Sequence, residues 1–145
     1  KENYTATFDV PYEPGTLKAV NSKGKEEFVL KTAGAPAAIR LIADRSKIKA
    51  CKNDLSYVKI ELVDKNGNVV PETSLPVKIE CTGKGTVIAG GNAAYADMES
   101  FRSLTPNTFR GKAIAIVQPD GEKGDIQVKV SAKGLEDASI VITTY

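Results

Sequence analysis

Between Asp54 and Glu72 the chain reads DLSYVKIELVDKNGNVVPE, and the order of its parts leaves few folds open. Val58, Ile60 and Leu62 alternate with Lys59 and Glu61, the two-residue period of a half-buried antiparallel strand. Asp64-Lys65-Asn66-Gly67-Asn68 follows with the residues that accept positive φ in a hairpin or short loop. Pro71 then stops the strand, because it has no N–H for a central ladder. The segment reads as one layer of a β-sandwich and carries no catalytic group.

The rest of the chain repeats that pattern. Tyr4, Ala6, Phe8, Val10 and Tyr12 alternate as a first strand, and Pro14-Gly15 turns it. Thr16 to Val20 and Glu27 to Thr32 flank a glycine-containing turn at 21–25. Gly34-Ala35-Pro36 divides this piece, residues 1–35, from a sandwich at 36–145. Within the sandwich, strands are expected at Ala37 to Ala43, Lys47 to Ala50, Ser56 to Val63, Leu75 to Cys81 and a short Thr86 to Ala89 broken by Gly90-Gly91-Asn92. Ala93 to Pro106 reads as a long loop with one brief strand at Met98 to Arg102. Lys112 to Gln118 is apolar on both faces, as a central strand buried on both sides is. Ile126 to Ala132 and Ser139 to Thr144 close the set. No run predicts a helix of three turns.

With 145 residues at 41% apolar content, one sandwich of about 100 residues can fill its core and leave a piece over. The net charge of +2 is spread without a basic stripe, which argues against nucleic acid as a partner. No apolar run reaches the roughly 20 residues of a membrane helix, and Lys1-Glu2-Asn3-Tyr4 is no signal-peptide start, so the chain reads as excised from a longer one. Histidine is absent, which removes the commonest general base and metal ligand. Tryptophan is absent too, and with it the best sugar-stacking platform. Cys51, in a polar turn, and Cys81, in step with Val77 and Ile79 toward the core, read as two free thiols, since a bridge needs converging Cβ vectors.

Four constellations could carry chemistry. The 64–68 turn has the alternating oxygens of a calcium loop but lacks its bidentate glutamate, and reads as a turn. Glu13, Asp97 and Glu99 are the acids nearest to candidate loops, and spacing sets no pair of them at the separation that glycoside hydrolysis uses. Gly90-Gly91-Asn92-Ala93 reads as a structural corner in which the glycines take positive φ. Tyr95, Phe101 and Phe109 surround the irregular region, and exposed there they could stack weakly on a sugar ring. No catalytic residue, cofactor ligand or metal ligand is assigned.

The Asp54–Glu72 stretch resembles the immunoglobulin-like modules near the C-terminus of bacterial glycoside hydrolase family 2 enzymes, the β-galactosidase-like glycosidases. The likeness extends upstream through VPYEPGTLKAV (Val10 to Val20), Lys31 to Pro36, Ile39-Arg-Leu41 and Asp44-Arg45. Downstream it takes in Ala89 to Asn92, Glu99 to Phe101, Phe109 to Gly111 and Ala113 to Gln118, with Ala93 standing where the family pattern has glycine. The resemblance implies an all-β, immunoglobulin-like antiparallel sandwich with an N-terminal hairpin and strand extension left from the preceding module. It implies a non-catalytic accessory domain of a multidomain β-galactosidase-like hydrolase, whose acid and nucleophile lie in a separate barrel. It also implies an extracytoplasmic place, in the periplasm or at the cell surface. A carbohydrate-binding module and an adhesin stalk domain are the alternatives. The partners expected are other domains of the parent glycosidase, with residues 1–35 either folding along a sandwich edge or joining two chains as a homodimer.

Overall fold

The computed structural model describes residues 5–21 and 23–145, and among these every regular element is a strand. The chain separates into two units between Thr32 and Ala33. In the first, β1 (Thr16–Val20) pairs antiparallel with β2 (Glu27–Lys31). The Asn21 side chain builds the turn by accepting the backbone N–H groups of Lys23 and Lys25 at 3.1 Å each. The register puts Leu17 opposite Leu30 and Ala19 opposite Phe28 on one face, with Thr16, Lys18, Val20, Glu27, Val29 and Lys31 on the other. The expected first strand is not formed: residues 5–12 are irregular, and Tyr4 lies outside the described residues. A strand needs a ladder partner, and among the described residues β1 and β2 pair with each other and not with residues 5–12.

The second unit holds two four-stranded sheets. One has the order β3 (Ala38–Ala43), β5 (Ser56–Val63), β8 (Lys112–Pro119) and β7 (Gly85–Gly91). The other has the order β4 (Lys47–Ile48), β10 (Ala138–Thr144), β9 (Gly124–Ser131) and β6 (Lys78–Gly83). Apart from the two-residue β4, this is the strand arrangement of a constant-type immunoglobulin sandwich. All ladders are antiparallel except one, in which the short β4 lies parallel to the end of β10.

Alternation puts aliphatics between the layers. Val58, Ile60 and Leu62 from β5 and Ala115 and Val117 from β8 meet Ile126, Val128 and Val130 from β9 and Ile142 from β10, all fully buried. Burying such a side chain is worth about 1.5–3 kcal/mol. Cys81 is half-buried against this cluster, and neither it nor Cys51 is bridged. Buried Ser56, Thr108 and Thr144 each bond to main-chain oxygens, so the core holds no orphaned hydroxyl among the described residues.

Four details depart from the sequence expectations. Leu75 to Val77 stays outside the third strand because it is occupied with the loop before β8: Thr108 donates to Leu75 at 2.8 Å and Val77 to Pro106 at 3.0 Å. Met98 to Arg102 forms no strand: among the described residues the main-chain hydrogen bond that ties it to the sheet is Gly90 N–H donating to Phe101 O at 2.7 Å. β7 runs through Gly90 and Gly91 instead of breaking there, with a bulge between Val87 and Ala89. Finally, β8 is flanked by strands on both edges, yet its outward Ile114 stays 39% exposed.

Gly83 ends β6 at φ +98°, and a Cβ there would stand 2.1 Å from the backbone oxygen of Asp125. Gly134 has a similar backbone, φ +81°, with nothing within 4 Å. Gly134→Ala is therefore expected to cost about 1–2 kcal/mol from conformation alone, and Gly83→Ala clearly more, because a rigid ladder must shift as well. Urea denaturation of both variants checks the order; equal losses would contradict it.

Candidate functional site

The loop joining β7 to β8, residues 92–111, carries the acids and aromatics that chemistry would need, and its construction decides what they can do. Gly90 and Gly91 are glycines for space, since neither has positive φ. A Cβ on Gly90 would meet Ser103 O at 2.9 Å, and one on Gly91 would meet the Phe101 ring at 2.8 Å. The corner itself belongs to Asn92, whose Oδ1 accepts the Ala94 N–H at 2.8 Å while its Nδ2 donates to Asn107 O at 2.9 Å. The two glycines thus let the loop fold back onto β7. Ala93 is exposed and tolerated because the side chain of Asn92 makes the turn.

Asp97 and Glu99 are brought into the same loop network and used up by it. Asp97 Oδ1 accepts the Glu99 N–H at 2.9 Å, and its other oxygen accepts from Asn92 Nδ2. Glu99 accepts the Asn107 N–H at 3.1 Å and also the Asn107 side-chain amide. Each carboxylate therefore holds backbone in place. The depression beside them, lined by Gly91, Asn92, Asp97, Glu99 and Phe101 among others, has a volume of about 30 Å³, far below that of a small-molecule pocket. Glu13 is exposed in the other unit.

The three aromatics do not make a platform. Tyr95 is fully exposed, Phe101 lies over Gly91, and Phe109 is half-buried under the Arg110 guanidinium, 5.6 Å from its ring centre. Phe109-Arg110-Gly111 is a left-handed turn, with Arg110 at φ +51° and Gly111 at φ +71°, that starts β8. Among the described residues no three His, Cys, Asp or Glu side chains are grouped as metal ligands.

Asp64 is the most strongly held carboxylate, and its role is local. It accepts the N–H groups of Gly34 at 2.8 Å, Asn66 at 2.9 Å and Asn68 at 2.8 Å, and the Asn68 amide at 3.1 Å. Above the same turn Arg40 donates to Glu61 at 2.6 Å and to Gly67 O at 2.9 Å. The oxygens that suggest a calcium loop thus face N–H donors, which a cation cannot replace. Sequence reading missed the Gly34 contact because it spans thirty positions, and a lone glycine before a proline gives no signal for it.

The Gly34 N–H, followed by the donors of Asn68 and Asn66, holds Asp64 at a pKa of about 2 against the ordinary 3.8. A depressed folded pKa stabilises the fold fully above the unfolded value, and that stabilisation is lost as pH falls through the folded one. The melting-temperature gap between the native chain and Asp64→Asn should be constant above about pH 5 and close between about pH 4 and pH 2. Thermal melts across that range check it; a gap of constant width would refute the assignment.

Residues 39–141 match the family described as glycoside hydrolase family 2 C-terminal domain 5. Over 145 residues the chain is 32% identical to the beta-galactosidase BoGH2A of Bacteroides ovatus, covering 98% of this chain and 17% of that protein. It superposes on a glycosyl hydrolase family 2 member from Bacteroides cellulosilyticus with a TM-score of 0.87 and 39% identity, covering 94% of this chain and 18% of that one. A beta-glycosidase from Bacteroides vulgatus gives a TM-score of 0.86 at 25% identity, over 93% of this chain and 18% of that one. The chain therefore spans less than a fifth of the length of these relatives. It belongs to the glycoside hydrolase family 2 C-terminal domain 5 family.

Proposed function

We propose that this chain is a non-catalytic accessory domain of a longer β-galactosidase-like glycosidase, which it braces by packing against the enzyme's other domains. One observation carries the reading: both loop carboxylates, Asp97 and Glu99, are engaged by backbone and amide donors of their own loop. A glycosidase needs one carboxyl to donate a proton and another to attack or activate water, each free to face the sugar. Similarity to a small part of a beta-galactosidase supports the same reading. By that reading the parent is exported from the cytoplasm, which fractionation of the producing cells checks.

The hairpin fits a bracing role as well. Its Leu17, Ala19, Phe28 and Leu30 face is left exposed among the described residues. Two strands alone are marginally stable in water, so this face calls for a partner surface. Either another domain of the parent or a second copy can supply one. Light scattering of the purified chain decides between them: a monomer at all concentrations excludes the copy, and a dimer lost in Phe28→Lys establishes it.

Sugar contact by Tyr95 and Phe101 is the second reading, favoured by their exposure alone. Retention on galactan affinity gels, lost in Phe101→Ala, would establish it. For the main proposal the direct test is turnover. Residues 1–145 should hydrolyse a nitrophenyl β-galactoside no faster than buffer does. Activity above background that disappears in Asp97→Asn or Glu99→Gln would overturn the proposal.

A further inference from the structure

The two sheets present opposite outer faces to their surroundings. Across β6, β9 and β10 the outward positions are polar or charged except for Val141, which is 46% exposed, and pairs such as Lys78–Glu80 at 2.8 Å and Lys129–Asp137 at 2.9 Å run across them. That is a surface built to stay in water. On the other sheet the outward row through Arg40, Glu61 and Lys112 is capped by the 64–68 turn, which leaves Glu61 nearly buried. Beyond it, two rows lie open. Tyr57, Ile116 and Ala89 are cross-strand partners in one, and Ile42, Lys59, Ile114 and Gly91 follow in the other. Phe101, 69% exposed, lies over Gly91 and extends the second row past the sheet edge.

We propose that these open rows, centred on Tyr57, Ile114, Ile116 and Phe101, are the seat of another domain of the same polypeptide. The proposal rests on the accessory-domain reading above and names the surface through which bracing acts. Composition favours a protein occupant, since aromatic and aliphatic side chains with few charges form the centre of an interface. A glycan is disfavoured because the polar groups beside Phe101, namely Asn92, Asp97 and Glu99, already bond to one another and to Asn107. A second copy is disfavoured by size. Free association needs about 800 Å² per partner, whereas these rows offer only a handful of side chains. A tethered domain presents itself at about millimolar effective concentration, so a modest surface suffices. The relatives, of which this chain matches 17–18%, have most of their length available to provide one.

Hydroxyl-radical footprinting of the parent polypeptide and of residues 1–145, read by mass spectrometry, tests the assignment. Tyr57 and Phe101 should label readily in the 145-residue chain and lose labelling in the parent, while Tyr145 beyond β10 serves as the control. Ile114→Lys in the parent should restore labelling at Tyr57, and Tyr57→Ser should do the same at Phe101 if the lysine variant folds poorly. Equal labelling of Tyr57 in both proteins overturns the face but leaves the accessory role standing. A gene with no further domain overturns both. Protection already present in the 145-residue chain also overturns the proposal. If that protection grows with concentration it assigns the face to a second copy, and if it appears only with added oligosaccharide it assigns the face to sugar.

Discussion

Everything in the sandwich depends on aliphatic side chains filling the space between two sheets about 10 Å apart. Among the described residues the fully buried set contains no aromatic ring, and no disulfide ties the layers. Immunoglobulin domains commonly use a tryptophan against an inter-sheet bridge at this place. Here Cys81 on β6 is half-buried with its thiol pushed up by burial, so it behaves as a small apolar group. Isoleucine and valine must then do nearly all the filling. Their χ1 stiffness suits a pleated surface, which is why β5, β8 and β9 are so rich in them.

The same constraint explains why the loop chemistry is structural. A sandwich leaves its irregular backbone at the ends, and each exposed turn must satisfy N–H groups that no ladder reaches. Asp64, Asn92, Asp97 and Glu99 supply the acceptors. Residue types that look catalytic by composition are, in this geometry, the fastenings of two loops.

How much of this could be read in the sequence followed from the range of the interaction concerned. Period-two alternation is local, so β1, β5, β9 and β10 were legible to within a residue or two. Gly90 and Gly91 misled because a glycine pair signals a turn in the absence of any other information, while their actual cause is the return of Ser103 and Phe101 from about a dozen positions away. The alternation of Ala6, Phe8, Val10 and Tyr12 promised a strand, yet among the described residues it joins neither open edge of the β1–β2 hairpin. The site was legible as residues and not as an arrangement: Asp97, Glu99, Phe101 and, as part of a corner, Asn92 were singled out, but not Asn107 nor the hydrogen bonds by which the two asparagines hold the carboxylates.

The double apolar pattern of β8 is the most informative of these mismatches. A strand apolar on both faces is ordinarily covered on both, and Ala113, Ala115 and Val117 have their cover in the opposite sheet. Ile114 and Ile116 face the other way, beside Tyr57, where Ile114 is exposed and Ile116 half-buried. Exposed ion pairs such as Lys78–Glu80 contribute about 0–1 kcal/mol each, so charges were not placed on the β6–β9–β10 face for stability. Their effect is solubility, which the β5–β8 face forgoes. Leaving aliphatics open where polar residues would serve equally well for folding is costly only if the face stays wet. On the docking proposal, the sequence pattern of β8 is the pattern of a strand with two neighbours, one of them the opposite sheet and the other a surface from elsewhere in the polypeptide.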